Sequence, residues 1–275
     1  MTGDALGTRG IVRPAAIPRM FTLDRLPASG DLADLVALHW RVDWALPAGA
    51  VHESLVLSYP AVSLSFEADG TWLTGPVSGT YRRLLTGRAH VPALRFRPGA
   101  FRSLVALPLS RLRDRVLPVE ELLPMPPDLP ARVRAAGSLV ESRPLVEEWL
   151  RSLPRPSASE VDAVVDLVEA ERSITRVDVL AERTGWSVRR LQRAFADGVG
   201  LPVKQVIRGA RLREVAERAL DGDVDWAAVA VELGYSDQAH LVRDFTAAVG
   251  TPPARYAREA RRPSCSFKTA GTGRS

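Results

Sequence analysis

Apolar and polar residues alternate with a period of two along the N-terminal part of the chain. Over 38–44 the apolar positions are Leu38, Trp40, Val42 and Trp44, and the residues between them are His39, Arg41 and Asp43. The same alternation recurs over 62–67 and 94–97, and the Asp69-Gly70 pair between these two segments is typical of a tight turn. Because alternate side chains of a strand point to opposite faces, these segments predict a β-sheet.

Helical spacing of apolar residues follows the predicted strands. It predicts helices over 101–116 and 129–153, and a further helix over 160–172 that opens the C-terminal half. The prolines and small polar residues of 152–160 are typical of a linker between the two halves. The predicted fold class is α+β, with a β-rich first domain that also contains helices and an all-α second domain.

One pattern of the C-terminal half occurs twice, at 180–195 (copy one) and at 229–245 (copy two). A glycine tolerates the left-handed backbone that ends a helix, and a serine oxygen can accept from the free amides that begin the next one. Each copy therefore predicts a helix, a tight turn and a serine-capped second helix. The repeated residues are Gly185, Trp186, Ser187, Leu191 and Phe195 in copy one, and Gly234, Tyr235, Ser236, Leu241 and Phe245 in copy two.

A single longer helix is predicted between the two copies, over 202–220. Pro202 stands near its start and Gly222 just beyond its end, as is common at helix boundaries. At about 1.5 Å per residue this helix would hold the copies about 25 to 30 Å apart. One turn of B-DNA is about 34 Å long, so two helix-turn-helix units at this separation could reach two adjacent major grooves.

These residues resemble the DNA-binding domain of the AraC/XylS family of bacterial transcription regulators. The family's signature is two helix-turn-helix units joined by one long helix, and its second unit normally ends in a run like the GYSDQAHLVRDFTAAVGTPPARY of 234–256. The chain departs from an even repeat at one point, because copy one has Val203 where copy two has Pro253, and its proline is Pro202. We expect from this a shifted start of the connecting helix.

The resemblance implies that exposed positions of each second helix contact DNA. Arginine can pair with guanine and glutamine with adenine in the major groove. For each such residue a phosphate contact or a solvated side chain is the alternative, and a lone histidine beside an apolar face is the weakest candidate. The implied base-contacting residues are Arg189, Gln192 and Arg193 in copy one, and Gln238, His240 and Arg243 in copy two.

The net charge of +5 is not concentrated in the C-terminal half of the 275-residue chain. Residues 157–275 carry 18 basic and 17 acidic side chains, whereas 1–156 carry 19 and 15. Clustering matters more than the total for contact with phosphates. One cluster without an acid consists of Arg183, Arg189, Arg190 and Arg193, and further phosphate-contacting candidates are Arg208, Arg211, Arg213, Arg255, Arg258, Arg261 and Arg262.

The N-terminal half, from about 27 to 123, resembles the small sensory or regulatory domain that precedes the DNA-binding domain in many AraC-type proteins. The most specific phrase is LRFRPGAFRSLVALPLSRLRDRV at 94–116. The resemblance implies a compact β-rich domain, with a cupin-like barrel as one form of it, and implies no particular ligand. The residues to inspect for a pocket are Trp40, Trp44, Trp72, His39, His52 and Arg97, although aromatic residues at strand spacing are more often core.

We therefore expect four segments along the chain. They are an N-terminal β-rich sensory or regulatory domain at 1–151, a linker at 152–160, a double helix-turn-helix DNA-binding domain at 161–260 and a disordered tail at 261–275.

Motifs of catalytic and cofactor sites are poor in this sequence. There is no glycine-rich nucleotide fingerprint, and the His52-Glu53 pair lacks the second histidine of the HExxH zinc motif. Cys265 is the only cysteine, which excludes an internal disulfide and a cysteine-rich zinc site. We expect no enzyme activity, no cofactor and no metal.

The leading hypothesis is a sequence-specific transcription regulator whose partner is double-stranded promoter or operator DNA. RNA polymerase and a small-molecule effector at the N-terminal domain are further candidate partners, and both a monomer and a homodimer are open. Because the sequence has no membrane span and no signal peptide, we expect a cytoplasmic protein without a membrane partner. The alternatives are a helical module that binds another protein and an enzyme domain fused to a DNA-binding domain.

Overall fold

A computed structural model of the protein describes most of the chain. The predicted tail at 261–275, with Cys265, lies outside the described residues apart from 268–269, and the predicted linker lies partly outside them. The described residues are 11–12, 21–154, 159–220, 224–260 and 268–269.

The strands form two antiparallel sheets, and all of them except β10 belong to the N-terminal half. They are β1 (Ile11–Val12), β2 (Phe21–Leu26), β3 (Val36–Ala45), β4 (Ala50–Leu57), β5 (Ser63–Glu67), β6 (Gly70–Thr74), β7 (Thr80–Thr86), β8 (Arg88–Phe96), β9 (Val116–Pro118) and β10 (Lys268–Thr269). The larger sheet has the order β2-β3-β8-β5-β6-β9, and in the smaller one β4 pairs with β1, β7 and β10. Among the strands described, no pairing joins the two sheets.

The α-helices follow the larger sheet and make up the C-terminal half. They are α1 (Leu129–Ala135), α2 (Leu139–Ser152), α3 (Glu160–Ala170), α4 (Val177–Thr184), α5 (Val188–Ala194), α6 (Val203–Arg218), α7 (Trp226–Glu232), α8 (Gln238–Val249) and α9 (Pro253–Ala260). This order of strands first and helices second agrees with the α+β class that the sequence predicts.

The helix predicted over 101–116 was wrong. The segment forms two short 3-10 helices, Ala100–Leu104 and Leu109–Arg111, before it enters β9. Between them Val105 and Pro108 have extended backbone. A proline lacks the amide hydrogen that a helix interior needs and restricts the residue before it, so the apolar spacing could not be used by one continuous helix.

The expected shift at the start of the connecting helix was also wrong. Helix α6 begins at Val203 and α9 begins at Pro253, which are equivalent positions of the two copies. The proline that corresponds to Pro202 is Pro252, because each stands immediately before the first helical residue. The two units are therefore more regular than the comparison of Val203 with Pro253 predicts.

Three large clusters of buried residues hold these elements together. The first lies between one face of the larger sheet and helices α1 and α2, and includes Phe66, Phe96 and Trp149. The second belongs to copy one and includes Leu191. The third belongs to copy two but also contains Leu57 of β4, so the two halves of the chain share a core.

Candidate nucleic-acid interface

Copy one folds as a helix-turn-helix unit with the capping that its sequence predicts. Helix α4 ends at Thr184 and is followed by Gly185, whose φ of 69° is the left-handed backbone that glycine adopts without strain. The hydroxyl of Ser187 accepts from the amide of Arg190 at 3.2 Å and so begins α5. Leu191 and Phe195 are fully buried. One face of α5 is thereby fixed in the core, and the opposite face is exposed.

The polar face of α5 presents four exposed side chains. Two of them, Arg190 and Arg193, differ in their contacts with neighbouring residues. Arg190 stacks over the Trp186 ring, with its guanidinium carbon 3.8 Å from the ring centroid, and pairs with Glu160 at 2.6 Å. Arg193 has no hydrogen bond or ion pair in the described part of the chain. The four exposed residues are Arg189, Arg190, Gln192 and Arg193.

Copy two has the same turn but a different cap. Gly234 has a φ of 68°, yet α8 begins only at Gln238, and the carboxylate of Asp237 accepts from the amide of His240 at 2.6 Å. This bond holds the pKa of Asp237 below its ordinary value. The prediction that Ser236 caps this helix was therefore wrong.

Copy two has one residue more than copy one between the serine of the turn and the buried phenylalanine, and this extra residue explains the change of cap. Counted from the residue that caps, Asp237 to Phe245 spans eight positions, as does Ser187 to Phe195 in copy one. The hydroxyl of Ser236 instead contacts the Nδ1 atom of His240 at 3.1 Å. The extra residue thus lengthens the turn and leaves the register of the buried face unchanged.

The polar face of α8 is exposed as well. Gln238, His240 and Arg243 are all exposed, but the His240 ring also packs edge-on against Tyr235, with ring centroids 5.2 Å apart. This packing and the contact with Ser236 hold the His240 ring in place, so its position is explained without a contact to DNA. Gln238 and Arg243 are consequently the stronger candidates for base contacts in copy two.

A partly buried network joins α8 to the connecting helix, and the sequence analysis missed it. Arg208 of α6 donates to Asp244 of α8 at 2.7 Å, and the Tyr235 hydroxyl donates to the same carboxylate at 3.1 Å. The guanidinium carbon of Arg211 lies 3.7 Å from the centroid of the Tyr235 ring. Burial raises the pKa of Tyr235, which therefore remains a hydrogen-bond donor at neutral pH.

This network changes the list of phosphate-contacting candidates. Arg208 and Arg211 hold α8 against α6, and Arg213 is only 2% exposed. Arg213 pairs with Glu169 and donates to the backbone oxygen of Ser58 at 2.5 Å, so its proposed contact with phosphate was wrong. The signal available in the sequence was the helical spacing of these arginines, which places them on the faces of α6 that pack.

Two sequence profiles match separate parts of the chain. A profile described as a helix-turn-helix domain matches residues 180–259, and a profile described as a domain of unknown function, DUF6597, matches residues 24–118. The first range contains both glycine turns and both second helices, and the second range contains most of the two sheets.

Characterised relatives match the helix-turn-helix half. "Probable transcription factor PqrA" of Proteus vulgaris is 32% identical over 81 residues, which are 30% of this chain and 66% of PqrA. "Multiple antibiotic resistance protein MarA" of Escherichia coli K12 is 30% identical over 96 residues, which are 35% of this chain and 73% of MarA. The chain belongs to the AraC/XylS family. It is a sequence-specific DNA-binding transcription regulator with DNA as its partner.

A solved structure is similar to most of this AraC/XylS regulator. ToxT from Vibrio cholerae O395 matches 88% of this chain and 99% of its own, with 9% sequence identity and a TM-score of 0.40. Over the residues that the structure describes, none of the helices is both long and apolar enough to cross a membrane.

A cavity of about 460 Å³ lies between the two sheets of this AraC/XylS regulator, and Asp166 of α3 and Arg213 of α6 also line it. Of the six residues that the sequence singled out for a pocket, Trp40, Trp44 and Arg97 line it. The other three lie elsewhere. His39 is buried against Glu147 of α2, where burial lowers its pKa to about 4; Trp72 donates to Asp69; and His52 stacks on Phe21.

Proposed function

We propose that this regulator contacts two successive major grooves on one face of the duplex, with α5 in one groove and α8 in the next. The observation that carries the proposal is that the polar faces of α5 and α8 are both exposed, even though the N-terminal half is packed against the DNA-binding half. Helix α6 between the units has 16 residues and is therefore about 24 Å long. This length, with the turns at its ends, fits the spacing of about 34 Å between adjacent grooves.

The surroundings of each exposed residue support different roles. Arg189, Gln192 and Arg193 of α5 extend from a helix whose other face is fully buried, so we propose that they contact bases. Arg190 is already stacked and paired, and we propose that it contacts the phosphate backbone beside them. In copy two we assign base contacts to Gln238 and Arg243, and a weaker contribution to His240.

We propose that the N-terminal half, residues 1–151, regulates the DNA-binding half, residues 161–260, across the linker 152–160. Direct contacts between the halves support this proposal. Arg213 of α6 donates to the backbone oxygen of Ser58, and Thr80 of β7 donates to the backbone oxygen of Ala248 in α8 at 2.5 Å. A regulator of bacterial promoters acts at the chromosome, and we therefore place it in the cytoplasm.

Replacing one base-contacting arginine tests the proposal. Genomic fragments bound by the purified full chain are selected first, and binding to the best fragment is then followed by fluorescence anisotropy at several salt concentrations. Arg193→Ala should weaken binding by about 1 to 3 kcal/mol and relax preference at one base position, since an arginine that pairs with guanine supplies both affinity and discrimination.

The matched control is Arg132→Ala on α1, an exposed arginine of the N-terminal half, which should bind every fragment like the original protein. Affinity of the original protein should fall steeply as salt rises. A uniform loss of affinity for all sequences in Arg193→Ala would assign this residue to phosphate instead. Binding that ignores both salt and sequence would overturn the proposal as a whole.

A further inference from the structure

The cavity between the two sheets is lined by apolar side chains and by several arginines. The apolar side chains come from both sheets, which makes the cavity suitable for a compact apolar body. They are Leu23, Trp40, Val42, Trp44, Val56 and Val91. The charged lining is strongly one-sided, with a single acid, Asp166, among the lining residues. Its cations are Arg25, Arg83, Arg95, Arg97 and Arg213.

Carboxylates neutralise three of these arginines. Arg83 forms a bidentate pair with Glu67, Arg97 pairs with Asp166, and Arg213 pairs with Glu169. These are charge-assisted bonds, and each leaves little charge to attract a ligand.

Arg95 of β8 differs from its neighbours in the cavity wall. Its Nε atom is shielded from water and donates no hydrogen bond in the part of the chain that the structure describes. Its guanidinium instead lies over the Tyr59 ring, 4.3 Å from the ring centroid. Burial lowers the pKa of Arg95 to about 10, which still leaves it charged at neutral pH. The cavity thus contains a cation with unused hydrogen-bonding capacity next to an apolar surface.

We propose that this cavity binds a small amphiphilic anion, a single carboxylate or sulfonate on an apolar or aromatic body, with the anionic group on Arg95. A guanidinium without an acceptor in a partly buried site is unfavourable, and a ligand oxygen in the cavity would accept from the terminal nitrogens of Arg95. A neutral apolar ligand would fill the same space but leave Arg95 without an acceptor. We place the anionic group on Arg95 because Arg83, Arg97 and Arg213 already have their counter-charges.

The position of Arg95 links the cavity to the DNA-binding half. The Tyr59 ring is a common neighbour of Arg95 and of Arg213 in α6, whose guanidinium carbons lie 4.3 Å and 5.3 Å from the ring centroid. An anion on Arg95 would therefore act one residue away from the helix that joins the two helix-turn-helix units. Only this regulatory consequence rests on the proposed function, and binding of the anion does not.

A pair of fluorescent probes tests the ligand class without DNA. The probes are 8-anilinonaphthalene-1-sulfonate and N-phenyl-1-naphthylamine, which share one aromatic body and differ by the sulfonate. We expect the full chain to bind the sulfonate at one site and the neutral probe at least about tenfold more weakly, because hydrogen bonds to a charged group are worth about 1.5 to 3 kcal/mol. Equal affinities for the two probes would overturn the proposal.

Substitutions at Arg95 locate the sulfonate. Arg95→Gln should lower the affinity for the sulfonate to that for the neutral probe and leave the neutral probe unaffected, and Arg95→Lys should retain a preference for the anion. Arg88→Gln, an exposed arginine of the same strand, is the matched control and should bind like the original protein. Full affinity for the sulfonate in Arg95→Gln would contradict the assignment.

Two readouts keep the result interpretable. Arg95→Gln removes a buried cation without a carboxylate partner, so its thermal unfolding should occur no earlier than that of the original protein. If the variant fails to fold, the comparison of the two probes on the original protein still decides the ligand class. Because no assay contains DNA, failure here is distinguishable from failure of the groove-contact proposal, which the anisotropy measurements decide separately.

Discussion

At the scale of the residue, exposure alone does not predict what an arginine does. Arg190 and Arg193 lie nearly one turn apart on α5, and both are exposed. Arg190 is held by Trp186 and Glu160, which limits the directions in which its guanidinium can donate. Arg193 has no such partners among the described residues and can adopt the fork geometry that a guanine requires. The difference comes from neighbours in space and not from the helical pattern.

The cap of α8 yields a prediction at this scale. Asp237→Ala should lower the urea midpoint of unfolding, because the amide of His240 loses its acceptor. The folded pKa of Asp237 is depressed, so its contribution to stability is fully present above the ordinary carboxyl pKa and is lost as the pH falls through the folded value. The difference between Asp237→Ala and the original protein should therefore shrink in acid.

Ser236→Ala is the matched control for the cap. Its hydroxyl contacts the Asp237 carboxylate and the His240 ring but accepts from no backbone amide at the start of α8. We expect a smaller shift of the urea midpoint than in Asp237→Ala. A larger shift for the serine would show that the helix begins one residue earlier, as the repeat with Ser187 predicts.

At the scale of the element, the two helix-turn-helix turns share a backbone conformation but not an environment. A Cβ atom on Gly185 would meet no heavy atom within 4 Å. On Gly234 it would lie 2.6 Å from Cγ2 and 2.9 Å from Oγ1 of Thr175, in the segment between α3 and α4. The turn of copy two therefore packs closely against the segment that precedes copy one. A side chain at position 234 would be disfavoured both by the left-handed backbone and by contact with Thr175.

Alanine at the two glycines separates these reasons. Gly185→Ala should destabilise the protein by about 1 to 2 kcal/mol, the ordinary cost of a left-handed backbone for a residue with a Cβ. Gly234→Ala should cost more, because the strain is joined by a clash with Thr175. Urea unfolding of both variants measures the difference, and equal free energies of unfolding would mean that Thr175 moves away without penalty.

Periodicity predicted the elements whose cause is local. The alternation over 38–44 lies within β3, and the connecting helix at 202–220 is α6 with its ends trimmed. The helix over 101–116 failed because Pro108 overrides apolar spacing. Arg213 was misassigned because its partners, Glu169 and Ser58, are distant in sequence. The base contacts of the site stay predictions, since helical spacing shows which face is exposed and not what that face binds.

At the scale of the whole molecule, the two halves pack directly against each other and are not independent domains joined only by a linker. Gly99 of the N-terminal half approaches the start of α3 so nearly that a Cβ there would lie 2.4 Å from the Ser159 hydroxyl. A Cβ atom on Gly200 would likewise lie 2.6 Å from the carbonyl oxygen of Leu109. The N-terminal half therefore contacts the segments on both sides of copy one, in addition to the bond between Arg213 and Ser58.

Asp162 is the residue at which this junction can be tested. It lies on α3, is 6% exposed, and accepts from the amide of Gly99 at 2.8 Å. Burial raises the pKa of Asp162, and the nearby Asp166 and Asp34 act in the same direction. The hydrogen bond from the Gly99 amide and the charge of Arg97 at 4.0 Å oppose this rise. The carboxylate is thus needed as an acceptor but is unfavourable as a buried charge.

Two substitutions of Asp162 divide these effects. Asp162→Ala leaves the Gly99 amide without an acceptor and should destabilise the protein by about 1 to 3 kcal/mol. Asp162→Asn keeps an oxygen in place and removes the charge, so at pH 7 it should be at least as stable as the original protein. Arg97 retains Asp166 as its partner in both variants. Thermal unfolding at pH 7 compares the three proteins.

The pH dependence of the same comparison decides whether the charge matters. A folded pKa raised above the unfolded one gives stability that is fully present below the unfolded pKa and is lost as the pH rises through the folded value. As the pH falls, the stability of the original protein should therefore rise relative to that of Asp162→Asn. The gap between their melting temperatures should close in acid. A gap that stays constant with pH would mean that Asp162 acts at the junction of the two halves only through its hydrogen bond to Gly99.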